Sequence, residues 1–410
     1  MKMGMITVVG IGEDGLDGLS PAARALVEGA EVLIGGERHL DKVPDIKAER
    51  LDWSAGFDAA LDELEARLGK RIVVLASGDP LYFGVGATLI RRFGAERVFV
   101  LPAPGAVSLT CARMGWSIPD TDVVTIHGRA LESLNLHLAP NARLVVLLRD
   151  GDSPAEVADL LVRRGFGPSR LTVLEHLGGP AENHIEGVAE SWSGERCANL
   201  ATLALECFVG PKARPLSRVA GLPDDAYEHD GQLTKREVRA VTLARLAPLP
   251  GEMLWDVGAG AGSVAIEWMR ANRANTALAI ERNPDRAACI ARNATALGVP
   301  RLNIVTGDAL EVLKIQSGSP DAVFVGGGVG VPGLVQAAWS RLKPGGRLVA
   351  NAVTVEGTAE LAKMKQKYGG DLIQISISRD DNKINNLTLF LPMRTVMQYL
   401  VNKSLEPHDE

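Results

Sequence analysis

The 410-residue sequence holds four cysteines, Cys111, Cys197, Cys207 and Cys289, with no CxxC pair and no histidine at metal-ligand spacing. That argues against a cysteine-bound metal or a disulfide framework and predicts unpaired thiols in a reducing compartment. No window approaches the roughly 20 apolar residues that a membrane-spanning helix needs. The opening MKMGMITVVGIG breaks its apolar run at a glycine too early for a signal-peptide core. The expected compartment is the cytoplasm, with no membrane partner. Positive charge is not in excess: 44 Lys and Arg against 50 Asp and Glu leave a net charge of −6. A broad basic surface for nucleic acid is therefore not expected. Aromatics are few, at 4%, but 46% hydrophobic and 23% charged residues make an ordinary globular composition. The length suits two or three domains, each with a core of normal size.

What is present is alternation. ITVVG (6–10), AEVLIG (30–35), RIVVLAS (71–77) and RVFVLPA (97–103) read as strands, with helical patterns at 21–29 and 57–69 between them. This predicts an α/β lobe with a mainly parallel sheet. A second series, at 123–128, 142–150, 169–178 and 198–207, predicts another α/β lobe joined to the first near Pro104–Pro119. Residues 1–207 are thus expected to form one two-lobed domain. Residues 208–227, rich in proline and mixed charge and holding Lys212, Arg214 and Arg218, read as a linker. From 228 to 410 a doubly wound α/β domain is expected. A helix over 234–248, opened by Thr234 with Glu237 at capping-box spacing, leads into five strands. DLIQISISR and NLTLFLP then suggest an antiparallel pair.

The chemistry sits in glycine turns. In Asp256-Val257-Gly258-Ala259-Gly260-Ala261-Gly262-Ser263, the third glycine that a dinucleotide fingerprint requires is replaced by Ser263. The spacing is instead G-x-G-x-G behind an acid. Glycines let the backbone approach a ligand, and the following helix start supplies donors. Asp256 can organise a ligand ammonium, which a nicotinamide dinucleotide lacks. Glu281 closes the next strand, where a carboxylate can accept from ribose hydroxyls. Asp308, in Gly307-Asp308-Ala309, closes the third and can meet an exocyclic amine. Three acids after three consecutive strands resemble a class I S-adenosylmethionine-dependent methyltransferase. At the fourth strand end, Gly326-Gly327-Gly328 stands where no Asn/Asp-Pro-Pro-aromatic tetrapeptide, cysteine nucleophile or histidine base is found. The triple glycine is read as room for a bulky substrate, suiting a carbon nucleophile activated by its own conjugated nitrogens and driven by proximity.

The first half has its own set: Gly10-Ile11-Gly12-Glu13-Asp14-Gly15, Ser77-Gly78-Asp79-Pro80-Leu81-Tyr82-Phe83-Gly84, and Pro104-Gly105-Ala106-Val107-Ser108. In this order, at strand ends, they resemble the tetrapyrrole methylases (class III methyltransferases), with the GDPxxFG element the most specific. That likeness implies a cleft between lobes holding S-adenosylmethionine against Glu13, Gly78, Asp79, Tyr82, Ser108, Leu109 and Leu148. In the second half the class I likeness implies contacts from Thr234, Asp256, Gly258, Ala259, Gly260, Ala261, Gly262, Glu281, Asp308 and Ala309. The chain would then carry two S-adenosylmethionine sites and no metal.

A class III half followed by a class I half resembles the precorrin-6B C5,15-methyltransferase (decarboxylating) family of cobalamin biosynthesis. The resemblance implies methylation of carbon 5 by the first half. It implies methylation of carbon 15 with loss of the ring C acetate carboxyl by the second, giving precorrin-8. The implied partner is an anionic tetrapyrrole, and the implied assembly a homo-oligomer. Candidate contacts for its carboxylates are Lys235, Arg236, Arg239 and Arg379 in the second half and His127, Arg129 and Arg149 in the first. RNA or protein as methyl acceptor, or a binding protein with one inactive half, are the alternatives.

Overall fold

The computed structural model describes residues 5–54, 56–384 and 387–405. It divides into two units, Met1–Leu131 with Ala139–Arg214, and Glu132–Leu138 with Pro215–Glu410. The short excursion at 132–138 is fixed within the second unit, where Asn135 Nδ2 donates to the Ala296 carbonyl at 3.2 Å.

The first unit holds two sheets. In the first sheet lie β1 (Ile6–Ile11), β2 (Val32–Ile34), β3 (Glu49–Leu51), β4 (Ile72–Ser77) and β5 (Val98–Leu101), all parallel in the order β3-β2-β4-β1-β5. A parallel sheet is covered on both faces, so its inner strands β1, β2 and β4 are buried nearly throughout instead of alternating, while the edges β3 and β5 are partly exposed. Every residue of ITVVGI is buried accordingly. Val8, Ile34, Leu64 and Val74 form the core on one face, and Val9, Leu33, Val73 and Leu75 on the other.

The second sheet contains β6 (Asp122–Thr125), β7 (Arg143–Leu147), β8 (Arg170–Glu175), β9 (Asn183–Val188) and β10 (Ala201–Glu206), ordered β6-β7-β10-β8-β9. Only β6 and β7 run parallel; the other pairings are antiparallel. The second lobe is therefore mixed, because β8 returns directly through β9, an exposed edge strand whose polar sequence gave no apolar signal.

The second unit is built on seven strands. These are β11 (Met253–Val257), β12 (Thr276–Glu281), β13 (Asn303–Thr306), β14 (Ala322–Val325), β15 (Arg347–Ala352), β16 (Asp371–Ile375) and, after the ribbon β17 (Ser378–Ile384)–β18 (Leu387–Pro392), β19 (Val396–Asn402). The order is β13-β12-β11-β14-β15-β19-β16, parallel except for β19. The order reverses between β11 and β14, and such a switch point opens a crevice beyond the strand carboxyl ends. The fold is thus α/β, a two-lobed unit followed by a doubly wound one. The expected antiparallel pair is displaced. Asp371–Ile375 joins the main sheet through β19, and the ribbon pairs residues 378–384 with 387–392.

Candidate active sites

In the first unit the three glycine segments are knit together by their backbones. Gly78 N–H donates to the Ile11 carbonyl at 3.2 Å, and Ala103 N–H to the Gly78 carbonyl at 3.1 Å. Gly78 has φ +53°, and a Cβ there would stand 2.4 Å from Gly105 Cα. Only glycine fits so close an approach. Asp79 turns its own loop, accepting from Leu81 N–H at 2.9 Å. The next residues, Leu81, Tyr82 and Phe83, are solvent-exposed apolar side chains, and Phe83 holds a left-handed φ of +55°. Ser108 is exposed and Leu109 half-buried in the first turn of the helix Ala106–Met114.

Other candidates are differently placed. Leu148 is buried among core residues after β7. Arg149 is paired within its own lobe, to Asp150 at 2.9 Å and Glu156 at 2.8 Å. His127 is exposed beyond β6, and the Arg129 guanidinium lies 5.5 Å from the centre of the Phe83 ring. Glu13 meets a group of residues that the sequence did not single out. Its Oε1 accepts from Arg38 at 3.0 Å and from Lys42, and its Oε2 lies 3.7 Å from His176 Nδ1. The sequence signal for Arg38 and Lys42 is basic residues directly after a strand end, in GGERHLDK, and His176 likewise follows a strand, in LEHLG.

In the second unit the glycine turn 258–262 joins β11 to the helix Ser263–Ala271. A Cβ on Gly258, φ +73°, would stand 2.7 Å from Gly327 Cα. Gly326 N–H donates to the Val257 carbonyl at 3.0 Å. This corrects the reading of the triple glycine: Gly327 lets the loop after β14 close on the backbone of the glycine turn, and the space beside Gly326 is taken by the Phe324 ring, so the room they leave is already filled by the protein. Glu281 is buried, with Oε2 accepting from Gly260 N–H at 2.8 Å and Oε1 from Asn283 N–H at 3.0 Å. Asp308 is exposed and caps the helix Ala309–Ile315, accepting from Leu310 N–H at 3.0 Å and Glu311 N–H at 3.3 Å. A cavity of about 430 Å³ borders Gly260, Ala261, Asn283 and Arg286. It covers the outer flank of the turn and does not reach Asp308 or Gly327.

Asp256 is the electrostatic centre of this turn. Its Oδ2 accepts from Ala265 N–H at 3.1 Å, while its buried Oδ1 has no partner. Burial pushes its carboxyl up to about 7, against the Ala265 hydrogen bond, and the neighbouring Glu281 carboxylate adds to the rise.

The basic candidates divide. Arg239 is fully buried, donating to Glu267 Oε1 at 2.6 Å, to Asp224 Oδ1 at 3.2 Å, and to the carbonyls of Thr234 and Leu222. Tyr227 OH donates to the same Glu267 oxygen at 2.9 Å. Arg239 is therefore part of the scaffold, not a surface contact for a substrate. Arg379 reaches Glu237 Oε1 at 3.2 Å and Asp224 Oδ2 at 3.1 Å, holding the Glu237 carboxyl below its ordinary range. Arg236 donates to the Gly221 carbonyl at 2.8 Å. Lys235, half-buried, is the N-cap of the helix Arg236–Leu246. This shifts the expected helix start: Thr234 lies outside the helix, its carbonyl held by Arg239, and Glu237 turns to Arg379 instead of closing a capping box.

Comparison with known proteins agrees with both architectures. Residues 5–192 match the family described as "Tetrapyrrole (Corrin/Porphyrin) Methylases", and residues 225–403 match "Precorrin methyltransferase domain". A Sinorhizobium sp protein named precorrin-6Y C(5,15)-methyltransferase [decarboxylating] is 46% identical over 96% of this chain and 95% of its own. Cobalt-precorrin-7 C(5)-methyltransferase of Salmonella typhimurium is 39% identical over 42% of this chain and 85% of its own. A Saccharolobus solfataricus protein, named probable cobalt-precorrin-6B C(15)-methyltransferase (decarboxylating), is 28% identical over 37% of this chain and 78% of its own.

Proposed function

This chain belongs to the precorrin-6Y C(5,15)-methyltransferase (decarboxylating) family, and from that membership we propose that it methylates one tetrapyrrole twice, at two separate sites. The observation that supports this is the presence, in one chain, of two sets of glycine turns at strand ends, on sheets of unrelated order. The first unit is assigned carbon 5. The second is assigned carbon 15 and loss of carbon dioxide from the acetate side chain. The existence of half-length relatives named for each reaction supports that division. The acceptor, precorrin-6B in the sequence reading, is written precorrin-6Y in the full-length relative's name; the product is assigned as precorrin-8.

Bound S-adenosylmethionine supplies the electrophilic methyl group at each site. In the second unit the turn Gly258–Gly262 borders the cavity through Gly260 and Ala261, the acids Asp256 and Glu281 lie behind it, and Asp308 stands at the third strand end. In the first, the turn fixed by Gly78 carries the exposed Tyr82, and the helix start carries the exposed Ser108 and the half-buried Leu109.

The acceptor's meso carbons are enamine-like nucleophiles, so the chain's task is placement, and no general base is required. The carbon–methyl bond forms with electrons from the conjugated system, leaving that system cationic. At carbon 15 the cation then accepts the electron pair released when the acetate carboxyl leaves as carbon dioxide. A desolvated surrounding favours that loss. Mass spectrometry of the acceptor after incubation with the full chain and donor tests this. Gain of two methyl groups with loss of one carbon dioxide is expected; an unchanged mass while the donor binds would reject the acceptor.

A further inference from the structure

We infer that Arg38 and Lys42, with His176 opposite them, form a recognition site for a ligand carboxylate around Glu13 in the first unit. The inference rests on reading this unit as a methylase of an acidic tetrapyrrole. Arg38 lies in the helix Glu37–Leu40 beyond β2, Glu13 in the turn after β1, and His176 at the end of β8 in the second lobe. Arg38 Nη2 also donates to Ser77 Oγ at 2.9 Å, directly before Gly78. Lys42 Nζ also donates to the Gly12 carbonyl at 3.2 Å. The cluster is thus continuous with two of the three glycine segments.

Its charge is unbalanced. Glu13 sits among Lys42, Arg38 and His176, and His39 sits among Arg38, Lys42 and Glu13. Burial first, then the two cations, push His39 down to about 4, so it is neutral near pH 7. Two permanent cations therefore face one carboxylate, before His176 is counted. Arg38 keeps 42% of its side chain open to solvent, whereas Lys42 keeps 13%. An incoming anion would meet the guanidinium first.

The backbone bears on the same spot. His176 holds a left-handed φ of +47°, and its Nδ1 lies 3.7 Å from Glu13 Oε2. Gly179 lets this turn close on Glu13, because a Cβ there would stand 2.6 Å from Glu13 Cβ. A planar guanidinium fork next to an ammonium fits a carboxylate. That group could come from an acid arm of the acceptor or from the amino-acid end of the methyl donor.

The full chain as Arg38→Gln and Arg38→Lys separates the two sources. An Arg92→Gln control removes an outer-surface cation paired with Asp62 and Glu65. Uroporphyrin, with acetate and propionate on every ring, is titrated by its fluorescence, and S-adenosylhomocysteine by calorimetry. At least tenfold weaker uroporphyrin binding in Arg38→Gln, partly restored in Arg38→Lys and absent in Arg92→Gln, with S-adenosylhomocysteine unaffected, assigns the site to the acceptor. The same loss confined to S-adenosylhomocysteine assigns it to the donor's carboxylate. Both affinities within twofold of the wild type would overturn the inference. These titrations need no turnover, so absent methyl transfer by the wild type would fail the family reading and leave this result standing.

Discussion

Asp256 shows how much a single buried carboxyl can couple stability to ligand. Its folded value of about 7 lies above the ordinary 3.8, so between those values the folded chain binds more protons than the unfolded one. Stability is therefore fully present below the ordinary value and is lost as pH rises towards 7. At about 1.4 kcal/mol per pKa unit, the loss is on the order of a few kcal/mol. Asp256→Asn keeps the Ala265 hydrogen bond and removes the charge. Urea denaturation of the ligand-free chain should show the wild type weakening from pH 5 to pH 8 and the variant weakening less, while donor binding to the second unit falls. Arg239 gives the opposite case. Arg239→Leu leaves Glu267 buried without its cation, and the unfolding free energy of the second unit should drop by about 3–5 kcal/mol. The acids after the strands were legible because motif spacing fixes their place. The fate of the arginines was not: Arg239 and Arg236 lie in one helix start, and only the fold decides that one is buried against Glu267 and the other donates at the surface.

Elements were legible where both sheet faces are buried. ITVVG and RIVVLAS are dominated by apolar residues, and β1 and β4 lie where those runs predict. The edge strand β9 and the last strand β19 were missed. NHIEGV is polar and exposed, and VMQYLVN owes its place to pairing with β15 and β16, distant in sequence. The helix start near 234 was misread because its capping-box spacing is present, but Glu237 has a stronger partner in Arg379. The glycine segments, by contrast, carry their geometry locally. Gly78→Ala must push the turn off Gly105 and force a side chain into φ +53°. A displacement of about 1 Å can cost on the order of 100-fold in rate. Methylation at carbon 5 should fall by that order, with carbon 15 methylation retained, read by product mass.

At the scale of the whole chain, the two units were separable in the sequence because their motifs differ in kind: GDPxxFG in one, G-x-G-x-G followed by Glu281 in the other. The assignment of residues 132–138 to the second unit had no sequence signal, since it depends on Asn135 meeting Ala296 in three dimensions. Each unit is assigned its own methyl-donor site. Calorimetric titration of the full chain with S-adenosylhomocysteine tests that most directly. Two molecules bound per chain are predicted, with Gly78→Ala removing one site and Asp256→Asn weakening the other. One molecule per wild-type chain, or loss of both sites in either variant, would contradict it.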